Sequence, residues 1–180
     1  MSRIPSHSVD DAPAASRALL EEMIQFSPTG RPLNLHAQMA HSPAVLEGYV
    51  GLRRANGRLG TLAEQVRSAL MLAAAAAGEN EYAIAITSAL ALRFGWRPEQ
   101  VQAVRDGKPT GDPALDALLD LVREGAGNRG KVSDETWKDA AASGWNDEQL
   151  AEAFAYLGLT VYTAYFLNYA ATELDVPTGG

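Results

Sequence analysis

Residues 62–95 read LAEQVRSALMLAAAAAGENEYAIAITSALALRFG, and the pattern of this stretch predicts a pair of helices. Thr61 and Glu64 have the spacing of a capping box, which favours a first helix over Leu62–Ala77. A second helix is predicted over Glu79–Phe94, and a glycine follows each helix as a stop signal. The run of five alanines favours helix and has little side-chain volume, so neighbouring helices can approach it closely. We therefore predict that this pair packs together at the centre of the fold.

Helix start signals also occur on both sides of the central pair, and no segment shows the sustained alternation of a strand. Proline at a first helical position and small polar residues at an N-cap are typical of such starts. These patterns together predict an all-α, multi-helix bundle of about eight to ten helices. The starts are predicted at Pro13, Ser42–Pro43, Pro98, Asp112–Pro113, Ser133 and Asn146 with Gln149.

Two corners between predicted helices share one pattern, a glycine followed by a tryptophan and then a new helix. The pairs are Gly95-Trp96 and Gly144-Trp145. A corner filled by an indole explains both copies, so we predict a structural role for both tryptophans rather than a shared binding role.

The predicted organisation is one helical domain, residues 12–176, between a flexible N-terminal tail, 1–11, and a C-terminal tail, 177–180. The 180 residues carry a net charge of −7, which argues against nucleic acid as a partner. The most apolar stretch, Ala69–Ala77, is too short to cross a bilayer, so we predict no membrane association and a cytoplasmic protein. The chain contains no cysteine, which excludes disulfides and thiol nucleophiles.

Two motifs that could bind a cofactor or a metal are present in the sequence. Gly125, Gly127 and Gly130 spell GxGxxG, but they follow a predicted helix, whereas a dinucleotide site needs a preceding strand. His36 and His41 are five residues apart, not the four that place two ligands on one helical face. We therefore predict no cofactor and no metal, and interpret His36 as a packing residue.

Four aromatic residues lie close together on the last predicted helix. Such a stripe is ordinarily part of a core or of an interface between subunits, and less often of a ligand pocket. We favour a subunit interface, because one small bundle has little use for so much apolar surface. The four residues are Tyr162, Tyr165, Phe166 and Tyr169.

Three segments distributed between residues 35 and 177 resemble the carboxymuconolactone decarboxylase-like family, which includes the alkylhydroperoxidases. Residues 35–49, LHAQMAHSPAVLEGY, are similar to the family's opening segment, and residues 62–95 look like its central helix pair. The third segment, 144–177, resembles a family C-terminus at Tyr165-Phe166 and at TELD in 172–175. The resemblance implies an alkylhydroperoxidase-like bundle and a homo-oligomer, since family members form dimers, trimers and hexamers.

The peroxidase branch of this family uses a glutamate, a C-x-x-C pair and a histidine on the central helix pair. The resemblance implies that the glutamate position falls at Ser68, the two cysteines at Asn80 and Ala83, and the histidine at Thr87. All four residue types have changed, and no cysteine elsewhere can substitute. The sequence therefore predicts a family-like protein without thiol peroxidase activity.

Two functions remain open for such a chain. The favoured hypothesis is a non-catalytic protein that binds a small molecule or a partner protein. The alternative is an enzyme of another class, such as a lyase, decarboxylase or isomerase acting on a lactone or carbonyl compound. Under either hypothesis, the candidate binding residues are the polar side chains expected around the cavity that the resemblance implies. A purely structural explanation also remains, in which these side chains bond only to one another or to backbone carbonyls. They are Ser68, Asn80, Glu81, Tyr82, Thr87 and Asn168.

Overall fold

A computed structural model describes residues 1–27 and 29–176, and nine α-helices lie within this part of the chain. The predicted all-α class and helix number are confirmed, while the predicted tail 177–180 lies outside the described residues. The helices are α1 (Ala14–Ile24), α2 (Asn34–Met39), α3 (Pro43–Leu59), α4 (Glu64–Ala77), α5 (Glu81–Arg93), α6 (Pro98–Arg105), α7 (Pro113–Gly127), α8 (Asp134–Ala142) and α9 (Asp147–Ala170).

Helix α4 is the central element of the bundle. It packs most extensively against α5, α7 and α9, and it also contacts α6. Ala73, Ala74 and Ala75 are all buried, because helices surround α4 on several sides and an alanine surface lets their backbones come close. The predicted central pair, α4 with α5, is therefore confirmed.

The start of α4 differs from the prediction. Thr61 does not cap the helix, since α4 begins at Glu64 and its N-cap residue, Ala63, has no side-chain bond to offer. The Thr61 hydroxyl instead donates to Glu152 of α9 at 2.9 Å, and the same carboxylate accepts from the backbone N–H groups of Thr61 and Leu62. A tertiary carboxylate thus replaces the local cap that the spacing predicts.

The two Gly-Trp corners are built as expected. The Trp96 indole Nε1 donates to the Gln65 carbonyl at 2.9 Å, and the Trp145 Nε1 donates to the Ala114 carbonyl at 2.7 Å. Each indole joins the start of one helix to a corner 31 residues further along the chain. Both tryptophans are therefore structural.

The predicted N-terminal tail lies against the helices. The Arg3 N–H donates to the Ala170 carbonyl at 2.8 Å, and the His7 N–H donates to the Ala37 carbonyl at 3.2 Å. The rings of His7 and His41 are in contact, with centroids 3.9 Å apart and planes tilted by 36°. Residues 1–11 therefore extend along the ends of α9 and α2.

Helix α9 is the one helix among residues 1–27 and 29–176 that is long and apolar enough to cross a membrane by length and composition alone. In this fold it packs against α3, α4, α5 and α7. Its opposite face leaves large side chains exposed, namely Phe154, Tyr162, Tyr165 and Tyr169. Phe166, predicted to belong to this face, instead packs partly buried against the core.

Candidate functional site

The four positions that the resemblance assigns to peroxidase residues lie on α4 and on the first half of α5 with its N-cap. The Ser68 hydroxyl is buried and donates to the Gln65 carbonyl at 2.8 Å. The Thr87 hydroxyl donates to the Ala83 carbonyl at 2.7 Å, one turn earlier in the same helix. Both hydroxyls therefore satisfy backbone carbonyls, and Ala83 contributes only a buried methyl group.

The fold brings together Asn80 and Asn168, two of the predicted binding residues. Asn80 is the N-cap of α5, where its Oδ1 accepts from the Ala83 N–H at 2.8 Å. Its Nδ2 donates to Oδ1 of Asn168 on α9 at 2.7 Å. These contacts are those of a helix cap that also joins α5 to α9. The two residues border an open surface groove of about 410 Å³, beside the exposed Glu81.

Tyr82 joins the C-terminal segment to the body of the protein. Its hydroxyl donates to the carboxylate of Asp175 and accepts from the Leu35 N–H at 3.5 Å. The second Asp175 oxygen accepts from the Asn34 N–H at 2.9 Å, at the start of α2. Burial, followed by the hydrogen bond to Asp175, raises the pKa of Tyr82 well above its usual value. A phenol in this setting holds two segments together and does not act as an acid.

The space beside two of the four positions, Ala83 and Thr87, is nearly closed. A void of about 30 Å³ remains beside Ala83 and Thr87, and the side chains of Met71, Thr160 and Thr163 help to fill it. This space admits a molecule the size of water and no organic ligand. Ser68 and Thr87 thus bond within their own helices, whereas Asn80, Glu81, Tyr82 and Asn168 line the surface groove instead of this void.

Larger cavities lie one and two turns further along α5. One, of about 390 Å³, is lined by side chains from α1, α3, α4, α5 and α9, and a second, of about 250 Å³, lies between α2, α3 and α5. Phe26, Arg53, Leu90 and Arg93 line both. Arg53 and Leu90 also border the small void, so the three spaces surround one arginine and one leucine. We call the two larger spaces together the Arg53 cavity.

Arg53 is half-buried and lies among aromatic rings. Its guanidinium carbon is 4.8 Å from the centre of the Phe26 ring and 5.9 Å from the centre of the Tyr49 ring. Among the described residues it has no hydrogen bond and no carboxylate partner, although its neighbour Arg54 pairs with Glu22 and Glu47. The Phe26 and Tyr49 rings therefore provide cation–π contacts to a guanidinium that has no anionic partner within the described part of the chain.

His36, on α2, is the other distinctive polar group of this cavity. It is 5% exposed and lines the smaller space, with its ring centre 5.2 Å from that of Tyr49. Neither ring nitrogen has a hydrogen-bond partner among residues 1–27 and 29–176. Burial, and then the charge of Arg53, lowers the pKa of His36 to about 3, so the imidazole is neutral at physiological pH.

The sequence predicts that His36 is a packing residue, but it does not predict that the imidazole lines a cavity without a hydrogen-bond partner. A buried polar group normally finds a partner, so an imidazole that lines a cavity and has none is unusual. The signal available in the sequence was a histidine inside the buried run Leu35–Met39. Arg53 gave no signal, because it is one of two adjacent arginines on an amphipathic helix.

Solved structures share this architecture at low sequence identity. A peroxidase-related protein of Ralstonia eutropha, described as an alkylhydroperoxidase AhpD core, superposes with a TM-score of 0.83 at 18% identity, over 97% of this chain and 92% of that one. The debrominase Bmp8 in complex with 2,3,4-tribromopyrrole gives a TM-score of 0.83 at 16% identity, over 96% and 91%. A peroxidase-related protein of a Silicibacter species gives 0.80 at 13%, over 99% and 94%. This chain has the AhpD-like fold.

No protein-family model and no curated protein sequence matches the chain. The predicted resemblance is therefore confirmed through the AhpD-like fold, and the absence of cysteine sets this chain apart from the thiol peroxidases that the resemblance suggested. The chemistry of the fold's peroxidases cannot be carried over at positions 68, 80, 83 and 87.

Proposed function

We propose that this AhpD-like protein is not a thiol peroxidase and binds a small organic molecule in the Arg53 cavity. The observation that carries the proposal is the orphaned, buried imidazole of His36 beside an open, largely apolar space. The Arg53 cavity is in the size range of sites for small molecules, ~300–1,000 Å³. The debrominase that shares this fold was solved with a small heteroaromatic molecule bound, which supports a ligand-binding role for the fold.

The alternative of an enzyme acting on a lactone or carbonyl compound receives no support from the ancestral positions. A general acid or base must reach its substrate within hydrogen-bond distance. The Ser68 and Thr87 hydroxyls donate to backbone carbonyls of their own helices, and the void beside Thr87 is too small for such a substrate. The Asn80 side chain caps α5 and donates to Asn168, so it offers no acid or base to the groove that it borders. Binding without thiol chemistry is therefore the function that we favour.

Filling the Arg53 cavity is expected to weaken ligand binding strongly. Leu90→Trp places an indole where all three spaces meet, so it occupies volume that a ligand needs, and we expect a loss of affinity of about tenfold or more. The ligand used is 8-anilinonaphthalene-1-sulfonate, whose fluorescence rises in apolar surroundings. Leu92→Trp is the matched control, since Leu92 is 41% exposed on the same helix and lines none of the cavities described here.

Titration by fluorescence compares the wild type with both variants, and circular dichroism verifies that each remains helical. Loss of affinity in Leu90→Trp alone supports the proposal. Equal affinity in all three proteins, or no saturable binding to the wild type, contradicts it.

We also propose a homo-oligomer that buries the exposed face of α9. Tyr165 and Tyr169 are 67% and 74% exposed, one turn apart, and Phe154 lies three turns earlier on the same side of the helix. Aromatic residues are enriched at the cores of interfaces between subunits.

A charge placed on this face is expected to dissociate the oligomer. Tyr165→Glu buries an unpaired carboxylate in the proposed interface, and loss of a central aromatic contact typically costs ~2 kcal/mol or more. Leu59→Glu is the control, because Leu59 is equally exposed at the end of α3. Sedimentation equilibrium at tens of micromolar should show an oligomer for the wild type and Leu59→Glu, and a smaller species for Tyr165→Glu. A monomeric wild type contradicts this proposal.

A further inference from the structure

The charges around the Arg53 cavity are unequally distributed. Four arginines and two glutamates line the larger space, and one of those glutamates, Glu22, is already paired with Arg54. The other, Glu64, is exposed. Among the described residues, Arg53 and Arg93 are the charged side chains that line the smaller space, and no described carboxylate lines it. The described lining of the cavity therefore has a surplus of positive formal charge, in a chain whose net charge is −7.

Two of the four arginines already have acceptors. Arg54 pairs with glutamates, and Arg67 donates to the carbonyls of Leu62 and Gly60. Arg53 and Arg93 have neither a hydrogen bond nor an ion pair within the described part of the chain. A half-buried guanidinium has up to five N–H donors to satisfy, so Arg53 is poised for an acceptor that arrives with a ligand.

We infer that the cavity takes an apolar monoanion, a carboxylate or sulfonate on an aromatic or aliphatic body, whose charged group binds Arg53 and whose polar far end meets His36. This inference rests on the proposed function and names the class of ligand. Phe26, Leu90 and Phe94 offer the apolar walls against which such a body packs. The guanidinium is the group best suited to a planar, bidentate carboxylate.

The positions of Arg53 and His36 agree with a ligand of modest length. The guanidinium carbon of Arg53 and the ring centre of His36 each lie within 6 Å of the Tyr49 ring centre, so they are at most about 11 Å apart. His36 is neutral and therefore presents one N–H donor and one acceptor. A hydroxyl or a similar neutral group at the far end of the ligand can satisfy it, whereas a second charged group cannot be accommodated as well beside a neutral ring.

The requirement for an anion is tested with two fluorophores that have the same rings, one with a sulfonate and one without it. N-phenyl-1-naphthylamine has the rings of 8-anilinonaphthalene-1-sulfonate without the sulfonate. Arg53→Gln should weaken binding of the sulfonate about tenfold or more and change binding of the neutral amine less than twofold. Arg58→Gln is the matched control, because Arg58 is an exposed arginine on the same helix that does not line the Arg53 cavity. Retained binding of the neutral amine by Arg53→Gln shows that the cavity is still formed.

The role of His36 is tested by displacement of the sulfonate fluorophore. In the wild type, 6-hydroxy-2-naphthoate should displace it about fivefold more effectively than 2-naphthoate, since a net hydrogen bond is worth roughly that factor. In His36→Phe the advantage of the hydroxyl should vanish, while 2-naphthoate itself still competes.

The results separate the two proposals. If both fluorophores bind with equal affinity, if Arg53→Gln affects neither, or if the hydroxyl gives no advantage, the ligand class is wrong, although sensitivity to Leu90→Trp keeps the cavity as a binding site. If Leu90→Trp also has no effect, the proposed function itself is wrong. Selective loss of the sulfonate in Arg53→Gln, together with loss of the hydroxyl advantage in His36→Phe, supports the inference.

Discussion

Wild-type protein is expected to show no peroxide consumption with any thiol reductant. Thiol peroxidases form a sulfenic acid on one cysteine and resolve it with a second, and this chain has neither. Its four methionines oxidise without a resolving partner. The resemblance places the two cysteines at positions 80 and 83. In this chain Asn80 caps α5, and the Ala83 side chain is a buried methyl group.

Restoring the cysteines alone is expected to leave activity far below that of an active relative. A thiol at the N-terminus of α5 would gain thiolate character from the helix dipole. Proton transfer would still be missing, because Ser68 and Thr87 bond to carbonyls and carry no acid–base group. A positioned acid or base contributes ~10²–10⁴-fold, and that is the deficit we expect for the variant with Asn80→Cys and Ala83→Cys.

A coupled peroxide-consumption assay compares the wild type, this double variant and a quadruple variant that adds Ser68→Glu and Thr87→His. Activity in the quadruple variant alone is the expected outcome, with circular dichroism as the check that each variant folds. Loss of the Asn80 cap costs about 1 kcal/mol, which a folded bundle can tolerate. Turnover by the wild type that survives metal chelation would contradict the assignment of these positions.

Acid is expected to destabilise the protein through His36. The pKa of His36 is about 3 in the folded state, against 6.5 for an unperturbed histidine, so between these values the unfolded state binds one proton more. Stability therefore rises with pH in this window and falls as pH decreases from 6.5 towards 3. The slope for one proton approaches ~1.4 kcal/mol per pH unit, which amounts to roughly 2–3 kcal/mol between pH 6 and pH 4.

Urea unfolding at pH 7, 6, 5 and 4 measures this dependence for the wild type and for His36→Phe. The variant keeps a buried ring beside Tyr49 and removes the titrating group. The slope of its unfolding free energy against pH should therefore be smaller than that of the wild type by ~1.4 kcal/mol per pH unit. His41→Asn is the control, because it removes an exposed histidine and should leave the His36 slope in place. Identical slopes in the wild type and His36→Phe would show that this imidazole is not neutral in the folded state.

Most of the fold could be predicted because helix ends are encoded locally. Asn146 and Gln149 form the predicted capping box at the start of α9, and the Ser133 hydroxyl accepts from the Thr136 N–H at the start of α8. The short helix Asn34–Met39 was not predicted, since it is buried almost all round and therefore shows no amphipathic period. Thr61 was assigned to a cap that it does not make, because its true partner is 91 residues away.

The Arg53 cavity was not predicted from the sequence, for a related reason. The resemblance directed attention to Asn80, which caps α5, and to Thr87 in the middle of that helix, and both side chains have local partners. Arg53 and His36 belong to α3 and α2, and their joint presence at one cavity depends on how the helices pack. Spacing along a single helix carries no information about such a meeting, so a three-dimensional arrangement was needed to find it.

The carboxylate of Glu152 has a consequence for the order in which the chain folds. It lies on α9, yet it supplies the acceptors for the N–H groups of Thr61 and Leu62 just ahead of α4. It also lies so close to Gly60 that a side chain there would collide with it. The approach to the central helix is thus completed by a contact that closes a loop of about 90 residues, which is entropically expensive to form early. The middle of α4 can nucleate with its near neighbours, but its entry is ordered only after the last long helix has docked.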